Sequence, residues 1–162
     1  MEHVIIDNFL KNDDFLKLQN LFLGPWIPWY FNNSVARKGE TSHFQFVHVF
    51  YDDLIPKSSF FNDIYPIIEI INPKALIRIK ANLGTKTIVN EQTGFHNDVL
   101  NFTCKTAILY LNTNDGYTEF EDGTKIKSVE NRFVEFDSTI KHTGVTQTDT
   151  QTRVLLNFNY VR

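Results

Sequence analysis

The chain has 162 residues, with 42% hydrophobic and 22% charged side chains and a formal net charge of -3. That length suits one domain with one core, and the acidic balance argues against broad electrostatic binding to nucleic acid or to an anionic membrane. No run of about 18 apolar residues occurs, which argues against a membrane-spanning helix, and the first residues show no secretory signal. The single cysteine, Cys104, excludes an internal disulfide, so we expect a reducing compartment, the cytoplasm by default.

The N-terminal part of the chain favours a short strand followed by a helix. Residues 4–6 are β-branched, which suits a strand. Apolar side chains then recur at helical spacing over residues 15–22, which predicts a helix. Asn12 or Asp13 is expected to cap the start of this helix, and Gly24-Pro25 is expected to end it.

The next stretch predicts an aromatic strand and a second helix. Residues 42–51 are rich in aromatic and β-branched side chains, which favours a strand. His48 shares one face of this strand with three phenylalanines, so a hydrogen-bonded core or cleft histidine is a better interpretation than a metal ligand. After Pro56, Ser58 or Ser59 is expected to cap a helix that Asn72-Pro73 ends.

From residue 75 onward the pattern changes to short strands separated by turns. Pairs such as Asp115-Gly116 and Asp122-Gly123 are the turn signals. Helices first and then about eight strands predict one domain, in which residues 1–73 support a β-sandwich or closed barrel formed by residues 74–162. The predicted strands are residues 76–83, 94–98, 105–111, 117–121, 125–128, 133–137, 139–145 and 153–161.

Two histidines and one acidic residue are candidates for a metal site. Of the five histidines, only His96 has an acidic residue two positions on, Asp98. Side chains two positions apart on a strand point the same way, so both could reach one ion. His142 lies on a later predicted strand, and two histidines with one carboxylate leave open positions on a divalent metal. Alone the pair is weak evidence, because 19 acidic residues in the chain make a chance surface pair common.

The last predicted strand has a polar face on an otherwise apolar segment. Arg153, Leu155, Asn157 and Asn159 alternate with an apolar set that suits the core. A polar face fits a solvent-exposed surface, and it also fits the lining of a small barrel that holds a charged ligand. An arginine inside such a barrel needs a carboxylate partner, because burying an unpaired guanidinium is costly.

Five segments follow one another along the second half of the chain: GFHND, KTAILYLN, DGYTEFEDG, RFVEFDSTIKHTG and RVLLNFNY. In order and spacing they resemble the prolyl-4-hydroxylase-like branch of the 2-oxoglutarate/Fe(II)-dependent dioxygenases, and most of all the short stand-alone members encoded by tailed phages. The resemblance covers about residues 75–161. It implies a double-stranded β-helix (jelly-roll) core flanked by about two helices, in the host cytoplasm if the gene belongs to a phage.

The resemblance implies a role for each matching residue. His96, Asp98 and His142 would be the iron ligands and the catalytic residues. Arg153 would bind the distal carboxylate of 2-oxoglutarate, with the Tyr110 hydroxyl in support, and the alternative for Tyr110 is a plain core aromatic. Asn157, on the same face as Arg153, is a candidate hydrogen-bond partner for an oxygen at the metal.

Two positions depart from the family's pattern. Asn82 stands where related hydroxylases often carry a tyrosine near the co-substrate, and the smaller asparagine implies a wider cavity that still offers a donor to a carboxylate. Asn131 stands where the family usually has a turn glycine. Asparagine tolerates a positive φ, so we expect the turn to be kept.

The resemblance implies an enzyme that uses Fe(II), 2-oxoglutarate and dioxygen, with ascorbate as a further candidate cofactor. It would release succinate and carbon dioxide while hydroxylating a C–H bond. A prolyl peptide is the substrate by analogy, although fold and triad do not fix the substrate. A non-catalytic jelly-roll binding module and a cupin-like metalloenzyme without 2-oxoglutarate stay open. Lys80 and Lys86 could approach an anionic group, although a solvated position is the default expectation for a lysine. Trp26 and Trp29 are expected to pack in a loop, with a lid or substrate wall as the alternative.

Overall fold

The computed structural model describes residues 2–35, 43–99 and 102–162. Two α-helices occur in these parts, α1 (Asn12–Leu23) and α2 (Tyr65–Ile71), and a 3-10 turn at Phe61–Ile64 precedes α2. None of the described helices is long and apolar enough to cross a membrane. The strands are β1 (His3–Ile6), β2 (Tyr30–Asn32), β3 (Gln45–Asp52), β4 (Ile55–Pro56), β5 (Ala75–Thr85), β6 (Lys105–Tyr110), β7 (Tyr117–Phe120), β8 (Lys125–Lys127), β9 (Phe133–Asp137), β10 (His142–Val145) and β11 (Thr152–Val161).

The described strands form two antiparallel sheets that face each other. The larger sheet has eight strands, in the order β1-β9-β6-β11-β5-β3-β2 with β4 beside β3, and the smaller has the order β10-β7-β8. This arrangement confirms the predicted mostly β, jelly-roll fold with two helices. The predicted aromatic strand began at residue 42, which lies outside the described residues, and its described part is β3.

Strand β11 lies at the centre of the large sheet, between β5 and β6. Asn157 of β11 stands opposite Lys80 of β5 and Ile108 of β6, and partners across a ladder share one face. Leu155, from the same face of β11, belongs to one buried apolar cluster with Phe120 of the small sheet. The polar face of β11 therefore points into the space between the sheets.

The opposite face of the large sheet packs against the two helices. Apolar side chains of α1 and α2 form one buried cluster with the outer face of the sheet, because each helix presents an apolar stripe at helical spacing. Among the members of this cluster are Phe15, Leu18, Phe22, Ile67, Ile71, Ile79, Leu109, Leu156 and Phe158. The helices thus stabilise one face of the sheet and leave the other face free for the site.

The helix boundaries differ from the prediction at their starts. Helix α1 begins at Asn12 after Lys11, and no side chain caps it, so the predicted capping by Asn12 or Asp13 is wrong. The second helix is divided, since Pro66 lies in the first turn of α2 and a proline cannot donate the backbone hydrogen bond that would continue a helix. Asn72, at φ 48°, ends α2 as predicted.

Two predicted strands are shorter in the structure. Residues 94–98 are not a strand, and only a single bridge joins His96 to His142. Gly94 adopts a φ of 102°, which is outside the extended region and interrupts regular pairing. The strand predicted for residues 139–145 begins only at His142, because a turn in which Ile140 N donates to Asp137 O precedes it.

Candidate metal centre and co-substrate cavity

A cavity of about 220 Å³ lies between the two sheets. Residues from β5, β6 and β11 line one side, and residues from β7, β10 and the segment 91–98 line the other. Of the residues that the sequence singled out, the cavity is lined by His96, Asp98, His142, Asn82, Arg153 and Asn157. Residues that are far apart in the chain therefore meet around one space.

The side chains of His96, Asp98 and His142 converge on one point. Their candidate ligand atoms all lie within 4.8 Å of one another. The Asp98 carboxylate oxygens are 3.8 Å from His96 Nε2 and 3.7 Å from His142 Nε2. These separations are too long for direct hydrogen bonds, yet one ion between the three side chains could contact all of them. The donor set of two imidazoles and one carboxylate suits a divalent transition metal.

Backbone contacts fix which nitrogen of each histidine faces this point. His96 Nδ1 lies 3.1 Å from Gly94 O, and His142 Nδ1 lies 3.2 Å from Ile140 O. A carbonyl oxygen can only accept, so in both rings Nδ1 carries the proton and Nε2 has a free lone pair. The same contacts orient the rings, as second-layer hydrogen bonds do in metal sites.

Local structure explains how Asp98 reaches the site without a strand. His96 N donates to His142 O and His142 N to His96 O, both at 3.0 Å, so the segment is tied to β10 beside Asp98. Asn97 Nδ2 then donates to Ser138 O at 3.1 Å, which turns Asn97 away from the site. His96 and Asp98 therefore share a side of the chain, as predicted, although the predicted strand is absent.

Asp98 is charged in this environment despite its burial. Burial raises the pKa of its carboxyl, but His142, Lys80, an Asn157 hydrogen bond and Arg78 together lower the pKa more, to well below its usual range. Asn157 Nδ2 donates to Asp98 Oδ2 at 2.8 Å. Asn157 thus holds a candidate ligand in place.

The same environment favours the neutral form of His142. Burial lowers the pKa of His142 more than the Asp98 carboxylate raises it. A histidine must be neutral to bind a metal, so this shift favours metal binding. The buried ring also packs edge-on against Phe136, with ring centroids 4.9 Å apart.

Arg153 is a partly buried cation at the other end of the cavity. Its Nε donates to Ser128 Oγ at 2.8 Å and its Nη2 donates to Thr118 Oγ1 at 3.2 Å. Burial lowers the pKa of the Arg153 guanidinium, which nearby Tyr110 partly offsets, but an arginine stays protonated in proteins. Within residues 2–35, 43–99 and 102–162, no carboxylate pairs with it, so a buried charge lacks its counter-ion.

Tyr110 lies behind Thr118 as seen from the cavity. The fully buried Tyr110 hydroxyl donates to Thr118 Oγ1 at 2.7 Å, and burial raises the pKa of Tyr110. Thr118 lines the cavity and accepts from both Tyr110 and Arg153, so its own proton is left to donate elsewhere. The structure therefore places the predicted residue beside Arg153, with a threonine that the sequence had not indicated between it and the cavity.

Several polar atoms on the cavity wall are buried without a hydrogen-bond partner among the described residues. They include Asn82 Oδ1, Asn157 Oδ1 and Gln147 Oε1, each on a residue that lines the cavity. Buried polar groups are nearly always paired with protein or water, so such a concentration marks a surface that is built to receive a polar molecule.

Sequence reasoning gave little or no weight to four residues in or beside this cavity. Thr118 and Ser128, which hold Arg153, are of residue types too common to stand out in one sequence. Lys80 was expected to be solvated, but it lines the cavity, and its alternation with Asn82 along β5 was the available signal. His43 also lines the cavity and contacts Glu91 at 2.9 Å.

The remaining residues to which the sequence drew attention, His48, Trp26 and Trp29, lie outside the cavity. His48 is buried, with Nδ1 2.7 Å from Pro28 O and Nε2 2.7 Å from Ser58 Oγ, which confirms the predicted core histidine. Trp29 packs against the helix-side core next to Phe22. Trp26 is 68% exposed.

Comparisons with known proteins give a fold but no close relative. No family model matches the sequence, and none of the curated proteins matches it. A prolyl hydroxylase from Trichoplax adhaerens, in complex with a peptide fragment of the hypoxia inducible factor oxygen degradation domain, matches with TM-score 0.73 and 16% identity over 98% of this chain and 83% of that chain.

Two further solved structures have the same architecture. The viral collagen prolyl hydroxylase of Paramecium bursaria Chlorella virus-1 matches with TM-score 0.60 and 14% identity, over 100% of this chain and 91% of that one. The epimerase SnoN, in complex with Fe3+, α-ketoglutarate (2-oxoglutarate) and nogalamycin RO, matches with TM-score 0.64 and 13% identity, over 98% and 78%.

The fold is that of the 2-oxoglutarate/Fe(II) oxygenases. The comparisons therefore confirm the predicted fold, and the triad lies in a cavity inside it. The similarity to members encoded by tailed phages stays a prediction.

Proposed function

We propose that the protein is a 2-oxoglutarate- and Fe(II)-dependent dioxygenase that hydroxylates a C–H bond of its substrate. His96, Asp98 and His142 hold the iron, and Arg153 binds the distal carboxylate of 2-oxoglutarate. One observation carries the proposal: a metal-compatible triad and a partly buried arginine, which has no carboxylate partner among the described residues, open onto the same cavity.

The Arg153 end of the cavity suits a carboxylate. Two of its guanidinium nitrogens bind Ser128 and Thr118, which holds the plane of the group still. A Cβ added at Gly144 would lie 3.7 Å from the third nitrogen, Nη1, so the glycine keeps that nitrogen uncovered. With the Thr118 hydroxyl, Nη1 offers a carboxylate two donors, and a charge-assisted pair of this kind is strong in a buried site.

The triad end suits a metal whose remaining positions face the cavity. When Fe(II) and 2-oxoglutarate are bound, they supply the redox chemistry, in which dioxygen, 2-oxoglutarate and a C–H bond give succinate, carbon dioxide and a hydroxyl group. The protein's part is positional. Asn157 holds Asp98, backbone carbonyls hold both rings, and the apolar side chains of Ile108 and Leu155 on the wall keep water from crowding the site.

Asn82 and Tyr110 complete the proposed co-substrate site. Asn82 stands opposite Leu155 on the face that lines the cavity, and its amide can turn to donate to a carboxylate. Tyr110 supports the distal carboxylate indirectly, since its hydroxyl bonds Thr118. The substrate to test first is a prolyl peptide, because three of the matching structures are prolyl hydroxylases. Ascorbate belongs in the assay as the reductant that keeps iron in the Fe(II) state.

Anaerobic titration of the protein with Fe(II) and 2-oxoglutarate tests the proposal. Chelation of 2-oxoglutarate by iron at this site gives a weak visible charge-transfer band, which we expect for the wild type. His142→Ala should remove the band, and Arg153→Met should shift its appearance to at least tenfold higher 2-oxoglutarate. Arg162→Met, at a surface arginine that pairs with Glu135, is the matched control and should behave as the wild type.

Succinate release separates an enzyme from a binding module. In air, the wild type should form succinate slowly without any substrate, and faster with an accepted prolyl peptide. Metal-loaded, folded protein that shows neither the band nor succinate would contradict the proposal. A bound metal whose absorption spectrum does not change when 2-oxoglutarate is added would instead indicate a metalloenzyme that does not use this co-substrate.

A further inference from the structure

Lys80 is a cation inside the cavity that the proposed chemistry does not use. It lies on β5 between Arg78 and Asn82, directly opposite Asn157 of β11, and it lines the cavity. Asn157 is the residue that bonds Asp98, so Lys80 belongs to the metal end of the cavity. Burial lowers the pKa of the Lys80 ammonium more than Asp98 raises it.

Lys80 has no carboxylate of its own among the described residues. The ion pairs of Asp98 are with Arg78, His96 and His142. The charge of Asp98 raises the pKa of Lys80, but the two side chains form no ion pair. A partly buried lysine without an acidic partner loses hydration that no opposite charge replaces, and an anion bound beside it would offset that cost.

Arg78 adds a second cation behind Lys80. Its Nη2 donates to Asn159 Oδ1 at 3.1 Å and approaches Asp98 Oδ1 at 3.5 Å. Its Nε is buried and has no partner among the described residues. A single carboxylate therefore stands beside two cations even before any metal is bound.

Binding of Fe(II) and 2-oxoglutarate would not supply the negative charge that these cations lack. The formal charges of Fe(II) and of 2-oxoglutarate cancel, which leaves Lys80, Arg78 and Arg153 against Asp98. Glu91 is the other acidic residue that lines the cavity, and it contacts His43 at 2.9 Å. Once a metal has taken up the charge of Asp98, Lys80 faces an excess of positive charge that an incoming anion would relieve.

We infer that Lys80, backed by Arg78, forms a second oxyanion subsite, which binds a carboxylate or phosphate group of the primary substrate beside the metal. The inference rests on the proposed function for the identity of the metal and co-substrate, but the subsite itself rests on the contacts of Lys80. It predicts an acidic substrate, whose anionic group lies close to the C–H bond that reacts.

Anion binding to protein loaded with Mn(II), a redox-stable substitute for Fe(II), and saturated with 2-oxoglutarate tests the subsite. Inorganic phosphate and acetate are the probes, titrated by calorimetry. We expect at least one probe to bind the wild type at millimolar concentration, and the tighter of the two tells phosphate from carboxylate. Lys80→Met should weaken this binding at least tenfold, and Lys80→Arg should restore much of it. Lys86→Met, at an exposed lysine just beyond β5, is the control and should leave it unchanged.

Three results would overturn the inference. The first is failure of both probes to bind the wild type, and the second is equal binding of a probe by the wild type and Lys80→Met. The third is a tenfold loss of 2-oxoglutarate affinity in Lys80→Met with anion binding intact, which would mean that Lys80 binds 2-oxoglutarate and not the substrate. Lys80→Gln, which keeps a polar group, replaces Lys80→Met if that variant does not fold. Wild-type protein that binds the anion but not 2-oxoglutarate would contradict the proposed function and leave the subsite standing.

Discussion

Arg153 is a partly buried arginine with no counter-ion among the described residues, which costs the unliganded protein stability. Under the proposed function, the same residue gives the protein affinity for 2-oxoglutarate. Arg153 keeps two neutral hydrogen-bond partners, Ser128 and Thr118, which replace only part of the hydration that it loses on burial. The rest of that cost is recovered only when an anion binds. Stability and function are therefore opposed at this residue, as they often are at active sites.

The variant Arg153→Met should separate the two effects. Removing an uncompensated buried charge is often neutral or stabilising, by about 1 kcal/mol or more, so we expect the free energy of unfolding without ligands to stay equal or rise. The increase in Tm that 2-oxoglutarate causes in Mn(II)-loaded protein should disappear. Thermal unfolding with and without 2-oxoglutarate measures both quantities. A loss of stability in the unliganded variant, or an unchanged response to 2-oxoglutarate, would contradict this account.

At the scale of single residues, strand alternation predicted most of the site. It placed Arg153 and Asn157 on one face of β11, and the structure shows both lining the cavity. It did not predict Thr118 and Ser128, because their contacts to Arg153 cross between sheets and depend on how the sheets are packed. Lys80 could have been predicted from its alternation with Asn82, but the general tendency of lysine to be solvated outweighed that signal.

The turn before β7 connects an element of the small sheet to the co-substrate site. A Cβ at Gly116 would lie 2.8 Å from Val145 O and 2.9 Å from Arg153 Cδ, closer than real contacts allow. Gly116→Ala should therefore destabilise the protein by about 1–3 kcal/mol, the usual cost of overpacking, and should also raise the Kd for 2-oxoglutarate by displacing Arg153. Unfolding and calorimetric titration of Mn(II)-loaded protein measure the two effects.

Gly123→Ala, in the turn after β7, is the matched control for Gly116→Ala. Gly123 has a φ of 87°, and nothing lies within 4 Å of its missing Cβ. An alanine there is strained by about 1–2 kcal/mol, so it should lower stability without changing the Kd for 2-oxoglutarate. Equal effects of both variants on that Kd would show that general destabilisation, and not the contact with Arg153, weakens binding.

The turn before β9 shows a second role for a positive φ. Asn131 has a φ of 57°, and its side chain accepts from Leu10 N and donates to Leu10 O, each at 2.9 Å. Asn131→Gly keeps the backbone but leaves two buried backbone groups unpaired, which should cost about 1–3 kcal/mol. Asn131→Ala adds backbone strain and should be less stable still. Urea unfolding should rank wild type above the glycine variant and the glycine above the alanine variant, and a glycine variant as stable as the wild type would contradict this.

At the scale of elements, the sequence predicted which segments exist better than where they begin. The helix-ending signals at Gly24 and Asn72 are local, and the structure confirms both. The division before α2 depends on Pro66, whose effect was overlooked although proline breaks the backbone ladder of any helix. The missing strand at residues 94–98 depends on Gly94, whose φ of 102° a single sequence does not reveal.

In the whole molecule, the proposed metal would add a further link between the segment 92–98 and the small sheet. His142 belongs to the small sheet, His96 and Asp98 to the segment bridged to it, and Asp98 is held by Asn157 of the large sheet. An ion at this point would cross-link the segment to β10. Ligand present at 100 times its Kd would stabilise the fold by about 2.7 kcal/mol, which for a domain of this size raises Tm by about 5–10 °C.

Hydrogen exchange should show where that stabilisation is concentrated. On addition of Mn(II), we expect the largest gain in protection in residues 92–98 and in β10, because these backbones carry the ligands. Helix α1 packs on the far face of the large sheet and should gain least, since its amides also exchange through local opening that the metal does not restrain. His142→Ala should abolish the gain everywhere. Equal protection of α1 and β10 would mean that the ion acts only through global stability, and no protection at residues 92–98 would mean that the ion does not bind at the triad.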